Sequence, residues 1–125
     1  MPLRSSLRLA PDPAAVVAKA VLAAADRLGL TSRHLAAVIG VSEASVSRLQ
    51  GGRGVAPASK EGELALMVVR LFRSLDALVG GDEVQARKWM HSMNDHLGGL
   101  PADRIRTVEG LVDVVQYLDA MRGRL

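Results

Sequence analysis

No cysteine occurs in this 125-residue chain, which excludes a disulfide framework and a thiolate metal centre. Aromatic residues are scarce, one Trp, one Tyr and one Phe making up 2% of the composition. Long apolar runs are missing as well. The longest candidate, 64–79, is interrupted by Arg70, Arg73 and Asp76, so a membrane-spanning helix is not expected. The stretch Met1 to Pro11 lacks the apolar core of a signal peptide, and a cytoplasmic address follows by default. A chain this short has no room for a large barrel or a doubly wound dinucleotide sheet, which makes a large self-contained enzyme improbable. What is present is 49% hydrophobic and 23% charged residues, the balance of a globular protein and not of a disordered one.

The net charge of +3 is unevenly spread: residues 1–60 hold eight Lys/Arg against three Asp/Glu, and residues 61–125 hold eight against ten. A basic half of +5 suits a polyanion, because Lys and Arg gain free energy by displacing counterions condensed on nucleic acid. The half at −2 calls for a different partner.

Ala, Leu and Val recur at spacings of three and four, without the alternation of strands, and predict an all-α fold. Asp12 and Pro13 read as the N-cap and first residue of a helix whose stripe of Val17, Ala20, Val21, Ala24 and Leu28 ends at Gly29. Thr31 or Ser32 caps a short helix through Ile39 that stops at Gly40, and Ser42 caps a third from Glu43 to Gln50. The Gly- and Pro-rich stretch from Gly51 to Ala58 marks a boundary where the charge also changes sign, giving domains 1–58 and 59–125. Ser59 then opens a long helix with Leu64, Val68, Leu71, Phe72, Leu75 and Val79 on one face. Leu66, Met67 and Val69 make a second side apolar, a candidate interface for a second copy. After Gly80 and Gly81, Asp82 caps a helix whose stripe of Ala86, Trp89, Met90, Met93 and Leu97 is expected to be core. Pro101 and Thr107 precede the last helix, which ends near Gly123.

Between Ser32 and Gly51 the residues obey the steric demands of a helix-turn-helix. Leu35, Ile39, Val41, Val46 and Leu49 are apolar, Ala36 is small where two helices cross, and Gly40 supplies a bend that needs positive φ. Ser42, Glu43, Ala44, Ser45, Ser47 and Arg48 are then left to face outward, small and polar enough to enter a major groove. Ser45 and Ser47 can bond base edges or phosphates, Arg48 a guanine or a phosphate, and Glu43 a cytosine amine, with Arg33 and Arg53 as flanking phosphate contacts. The competing reading is a plain helical hairpin with Ser42 as a cap and Arg48 as a solvated charge. One such module reads few base pairs, so a homodimer on a palindrome is expected.

Other residues carry less. Trp89 is either an interface hot spot or core, and its place in the stripe favours core. His34, His91 and His96 are expected at the surface, the last two facing different sides of one helix, with no third ligand or nucleophile at a compatible spacing. Gly51-Gly52-Arg53-Gly54 lacks the preceding strand and the Lys-Ser/Thr ending of a phosphate loop. Neither a catalytic constellation, a metal site nor a cofactor is expected.

A string in the second half, Ala86-Arg87, Trp89-Met90, Asn94, Leu97-Gly98-Gly99, Pro101, Thr107, Glu109-Gly110, Val114 and Leu118, resembles the toxin-binding domain of the MbcA/ParS/Xre antitoxin family. In that family an Xre-type helix-turn-helix precedes a small helical antitoxin domain. The resemblance implies a type II toxin-antitoxin system: a partner toxin of the RES-domain class, which consumes NAD or transfers ADP-ribose from it, and repression of the chain's own operon. It also implies that the end of the last helix and the tail, Tyr117, Met121, Arg122, Arg124 and Leu125, meet the toxin and block its active site. Physics allows this, since a terminal carboxylate suits a pocket built for phosphates and an arginine suits a catalytic acid. The tail's residues alone would favour a solvated end; the resemblance reverses that preference. The alternative is a stand-alone Xre-family transcriptional repressor whose second half only dimerises or senses a ligand.

Overall fold

The computed structural model describes residues 11–124, so the leader-free reading of residues 1–10 and the expected role of Leu125 lie outside the described residues. Among the described residues there are seven helices and no strand, the all-α architecture expected: α1 (Pro13–Leu28), α2 (Ser32–Ile39), α3 (Glu43–Gln50), α4 (Lys60–Leu78), α5 (Glu83–Met90), α6 (Pro101–Arg104) and α7 (Val108–Arg122). Their starts obey local chemistry. Asp12, Thr31, Ser42, Ser59, Asp82 and Thr107 each accept a backbone N–H of the first turn, satisfying donors that a helix leaves unpaired.

The long helix α4 is the centre of the molecule, packing against α1 and α7 and touching α2 and α5. Val68, Leu71 and Leu75 of α4 are fully buried with Val21 and Leu28 of α1, Leu35 and Ile39 of α2, and Leu111 and Leu118 of α7. The hydrophobic core therefore runs without a break across the Gly- and Pro-rich stretch. That stretch is itself pinned: the Val55 N–H donates to the Ala14 carbonyl at 3.0 Å, and a Cβ at Gly54 would come within 2.8 Å of the Ala14 Cβ.

Three expectations change. The helix begun at Asp82 stops at Met90 instead of running on to Leu97, because the Ser92 hydroxyl donates to the Lys88 carbonyl at 2.5 Å and offers the backbone an alternative to the helix. Met93 is consequently 68% exposed while Leu97 is buried. The segment from His91 to Leu100 closes as a loop, with Asn94 and Gly99 exchanging backbone hydrogen bonds at 3.0 and 3.2 Å and Gly98 at φ 73°. His91 and His96 thus lie on this loop and not on a helix. On the second apolar side of α4, Val69 is buried and Met67 half-buried, leaving Leu66 exposed.

Candidate functional site

The helix-turn-helix is formed by α2 and α3. Gly40 sits at φ 73° and its N–H donates to the Ala36 carbonyl, a left-handed helix ending that a side chain resists. The Gln50 amide donates to the Ser32 hydroxyl at 3.1 Å, tying the end of α3 to the start of α2. Val46 and Leu49 are buried, and Glu43, Ala44, Ser47 and Arg48 are exposed. Positions 43, 44, 47 and 48 share one face of the helix, so these four residues form its open surface.

Ser42 and Ser45 stand apart from it. The Ser42 hydroxyl caps α3, accepting the Ser45 N–H at 3.1 Å and donating to the Ser45 hydroxyl at 3.0 Å. Ser45 is half-buried beside Leu49, Arg53 and Val55, at the rim of a separate hollow. Arg33, in the first turn of α2, and Arg53, just beyond α3, are exposed.

The C-terminal candidates divide between two surfaces. Tyr117, Met121 and Arg124 line a cavity of about 540 Å³ together with His96, Arg104 and Asp113. Arg122 lines a different groove, between α1, α4 and α7, whose rim carries the exposed apolar residues Val16 and Leu66. Tyr117 stacks on Trp89, with ring centroids 6.3 Å apart and planes 17° apart, and the tilted His96 ring lies 4.9 Å from Tyr117. Trp89 is half-buried: it packs on the core, as its stripe foretold, yet it also supports a surface.

Two polar clusters hold α7 in place. Arg104 donates to Asp113 at 2.8 Å, joining α6 to α7. The buried Ser74 hydroxyl of α4 donates to Asp119 at 2.8 Å, and Asp119 also pairs with Arg70. Gly110 explains its own presence in the string of residues noted above. A Cβ there would lie 1.8 Å from the Arg104 carbonyl oxygen, so only glycine lets α6 turn into α7 this tightly.

Histidine 34 departs from the surface position expected of it. Its Nε2 is 2.6 Å from the Ala102 carbonyl, which joins the helix-turn-helix to α6. Burial pushes its pKa below the ordinary value, against the opposing effect of this hydrogen bond. Arg87 makes a second bridge, donating to the Asp26 carbonyl at the end of α1 at 2.9 Å while pairing with Glu83. Sequence reasoning missed both roles, since neither leaves a local signal. Among the described residues no group of three or more His, Asp or Glu side chains could hold a metal ion, and no helix is long and apolar enough to cross a membrane.

Comparison with known proteins finds two family profiles in the chain, which meet within α4. The profile of the antitoxin Xre-like helix-turn-helix domain matches residues 7–70, and that of the antitoxin Xre/MbcA/ParS C-terminal toxin-binding domain matches residues 74–124. A chain of the crystal structure of the M. tuberculosis MbcT–MbcA toxin–antitoxin complex is similar to this one, with 30% identity and a TM-score of 0.66, over 88% of this chain and 96% of that one. No curated protein matches the sequence.

Proposed function

The chain belongs to the Xre/MbcA/ParS antitoxin family, and on that premise we propose that it neutralises a RES-domain toxin by carrying its C-terminal end into the toxin's active site, and represses its own operon through α3. The observation that carries the first part is the convergence of Tyr117, Met121 and Arg124 on one cavity at the end of α7, inside the stretch that matches the toxin-binding profile. Beyond this cavity the chain's end can place the carboxylate of Leu125 in a pocket built for the phosphates of NAD, while Arg122, which lines the other groove, can pair with a catalytic acid. The chain acts by binding, without catalysis or a cofactor, in the cytoplasm. Its division of labour follows the boundary at 58/59 even though the core is shared.

Operator binding is supported by the open face of α3, with Glu43, Ser47 and Arg48 toward base edges, Ser42 and Ser45 at its margin, and Arg33 and Arg53 toward phosphates. A homodimer would place two such faces on a palindrome, and the exposed Val16 and Leu66 are the apolar contacts offered for it.

Deleting residues 121–125 tests the toxin part. The truncated chain is expected to lose protection of cells that express the toxin from the neighbouring gene while keeping its footprint on the upstream DNA. Continued protection would refute the blocking tail. A stand-alone repressor instead predicts that no neighbouring product co-purifies with the full chain. For the DNA part, Arg48→Ala combined with Ser47→Ala is expected to weaken operator binding about tenfold or more and to leave toxin binding unchanged.

A further inference from the structure

The cavity beside α7 contains more than the tail needs. We propose that it receives an acidic side chain of the toxin, with Arg104 as the carboxylate receptor and Tyr117, stacked on Trp89 and flanked by His96, as the aromatic wall beside it. This deepens the reading of the chain as a toxin-binding protein and rests on it.

Three observations support the assignment. First, the cavity, of about 540 Å³, is lined by Arg104, Arg124 and His96 against a single carboxylate, Asp113, so its surplus is positive even with His96 neutral. A carboxylate entering it meets complementary charge. Second, the Arg104 guanidinium is not saturated. It donates one hydrogen bond, from Nη2 to Asp113, and its side chain is still 33% exposed. A guanidinium has five N–H donors in a planar fork suited to a carboxylate, so a second acceptor is accommodated without giving up the first. Third, the chain's only Trp and only Tyr are stacked on each other here, with His96 against Tyr117, and Trp89 and Tyr117 are both half-buried. Aromatic and Arg side chains brought together at a surface are the residue types enriched in interface hot spots. The groove beside α1 is also cationic, but no aromatic side chain lines it.

Asp113 makes the proposal testable by sign. If the Arg104–Asp113 pair only braces α6 against α7, Arg104→Gln and Asp113→Asn should weaken toxin binding alike. If Arg104 is a receptor, Asp113 competes for it, and the two substitutions should differ. The experiment is calorimetric titration of the full chain and each variant with the purified product of the neighbouring toxin gene at two salt concentrations, with circular dichroism and thermal melts confirming folding. Arg104→Gln is expected to raise Kd about tenfold or more and to flatten its salt dependence. Asp113→Asn is expected to hold or lower Kd, and His96→Ala to raise it by a smaller factor. Unchanged affinity of Arg104→Gln, or equal losses from Arg104→Gln and Asp113→Asn, would overturn the proposal while leaving the blocking tail intact. A shift in the chain's self-association in place of toxin affinity would assign the cavity to a second copy and overturn it too. Failure of the unmodified chain to bind toxin at all would remove the antitoxin reading and this proposal together.

Discussion

On α3 the exposed residues Glu43, Ala44, Ser47 and Arg48 owe their common face to helical periodicity alone, whereas Tyr117 and Met121 of α7 and Arg124 just beyond it share their cavity with Arg104 of α6 and His96 of a loop. The first surface needs one helix and its cap. The second exists only while α5, α6, α7 and the loop between His91 and Leu100 hold their places. A single-helix surface should therefore tolerate damage elsewhere in the core, and a composite one should not.

The largest effect that could break this contrast comes from Gly110→Ala, whose Cβ would meet the Arg104 carbonyl oxygen at 1.8 Å. The backbone must move, at an expected cost of about 3 kcal/mol in urea unfolding. Gly123→Ala, where the nearest atom is 3.5 Å from the new Cβ, serves as the near-neutral control. Equal stability of the two variants would mean that the junction of α6 and α7 is soft.

Asp119→Ala should come next. It strands the Ser74 hydroxyl, which is only 1% exposed and has Asp119 as its acceptor, and leaving such a group unpaired costs about 1–3 kcal/mol. Asp119→Asn keeps an acceptor for Ser74 and should cost less, because the exposed Arg70 pair adds little. If Asp119→Asn proves as harmful as Asp119→Ala, the ion pair matters more than the buried hydroxyl.

Ser42→Ala removes the cap of α3 and should cost about 1 kcal/mol. Thermal melts and operator titrations should register it, while the distant α7 surface should bind its partner as before.

The smallest effect concerns the joint between the two surfaces. Burial lowers the pKa of His34 in the folded chain from an ordinary 6.5, so the unfolded chain binds more protons as the solution is acidified. Its stabilising contribution is complete above about pH 6.5 and is lost as pH falls through the lower folded value. Arg106 favours the neutral ring as burial does, as does His91 more weakly, and Asp103 opposes them. Unfolding midpoints at pH 7.5 and 5.5 should therefore separate more for the unmodified chain than for His34→Gln. An equal separation would show that His34 senses no burial.

Much of this was legible in the residues. The caps at Asp12, Ser42, Ser59 and Asp82 and the bend at Gly40 are local chemistry, and each was placed correctly because its signal lies within four residues of its effect. The resemblance to the antitoxin family, carried by the string from Ala86 to Leu118, agreed with both profile matches. The helix that was expected to reach Leu97 misled, because apolar spacing continued after Ser92 had turned its hydroxyl back to the Lys88 carbonyl.

The sequence by itself determined the starts of the six side-chain-capped helices and the polar face of α3, since capping and a 3.6-residue period act between neighbours along the chain. Only the tertiary structure decided that His34 reaches Ala102, that Arg87 closes the end of α1, that Ser74 and Arg70 hold Asp119, and that Tyr117 meets both Trp89 and His96. The sequence separations in the hydrogen-bonded pairs are 68, 61, 45 and 49 residues. Contacts at such separations arise from how α4 seats α1 on one side and α7 on the other, a choice made by the packing of the whole core.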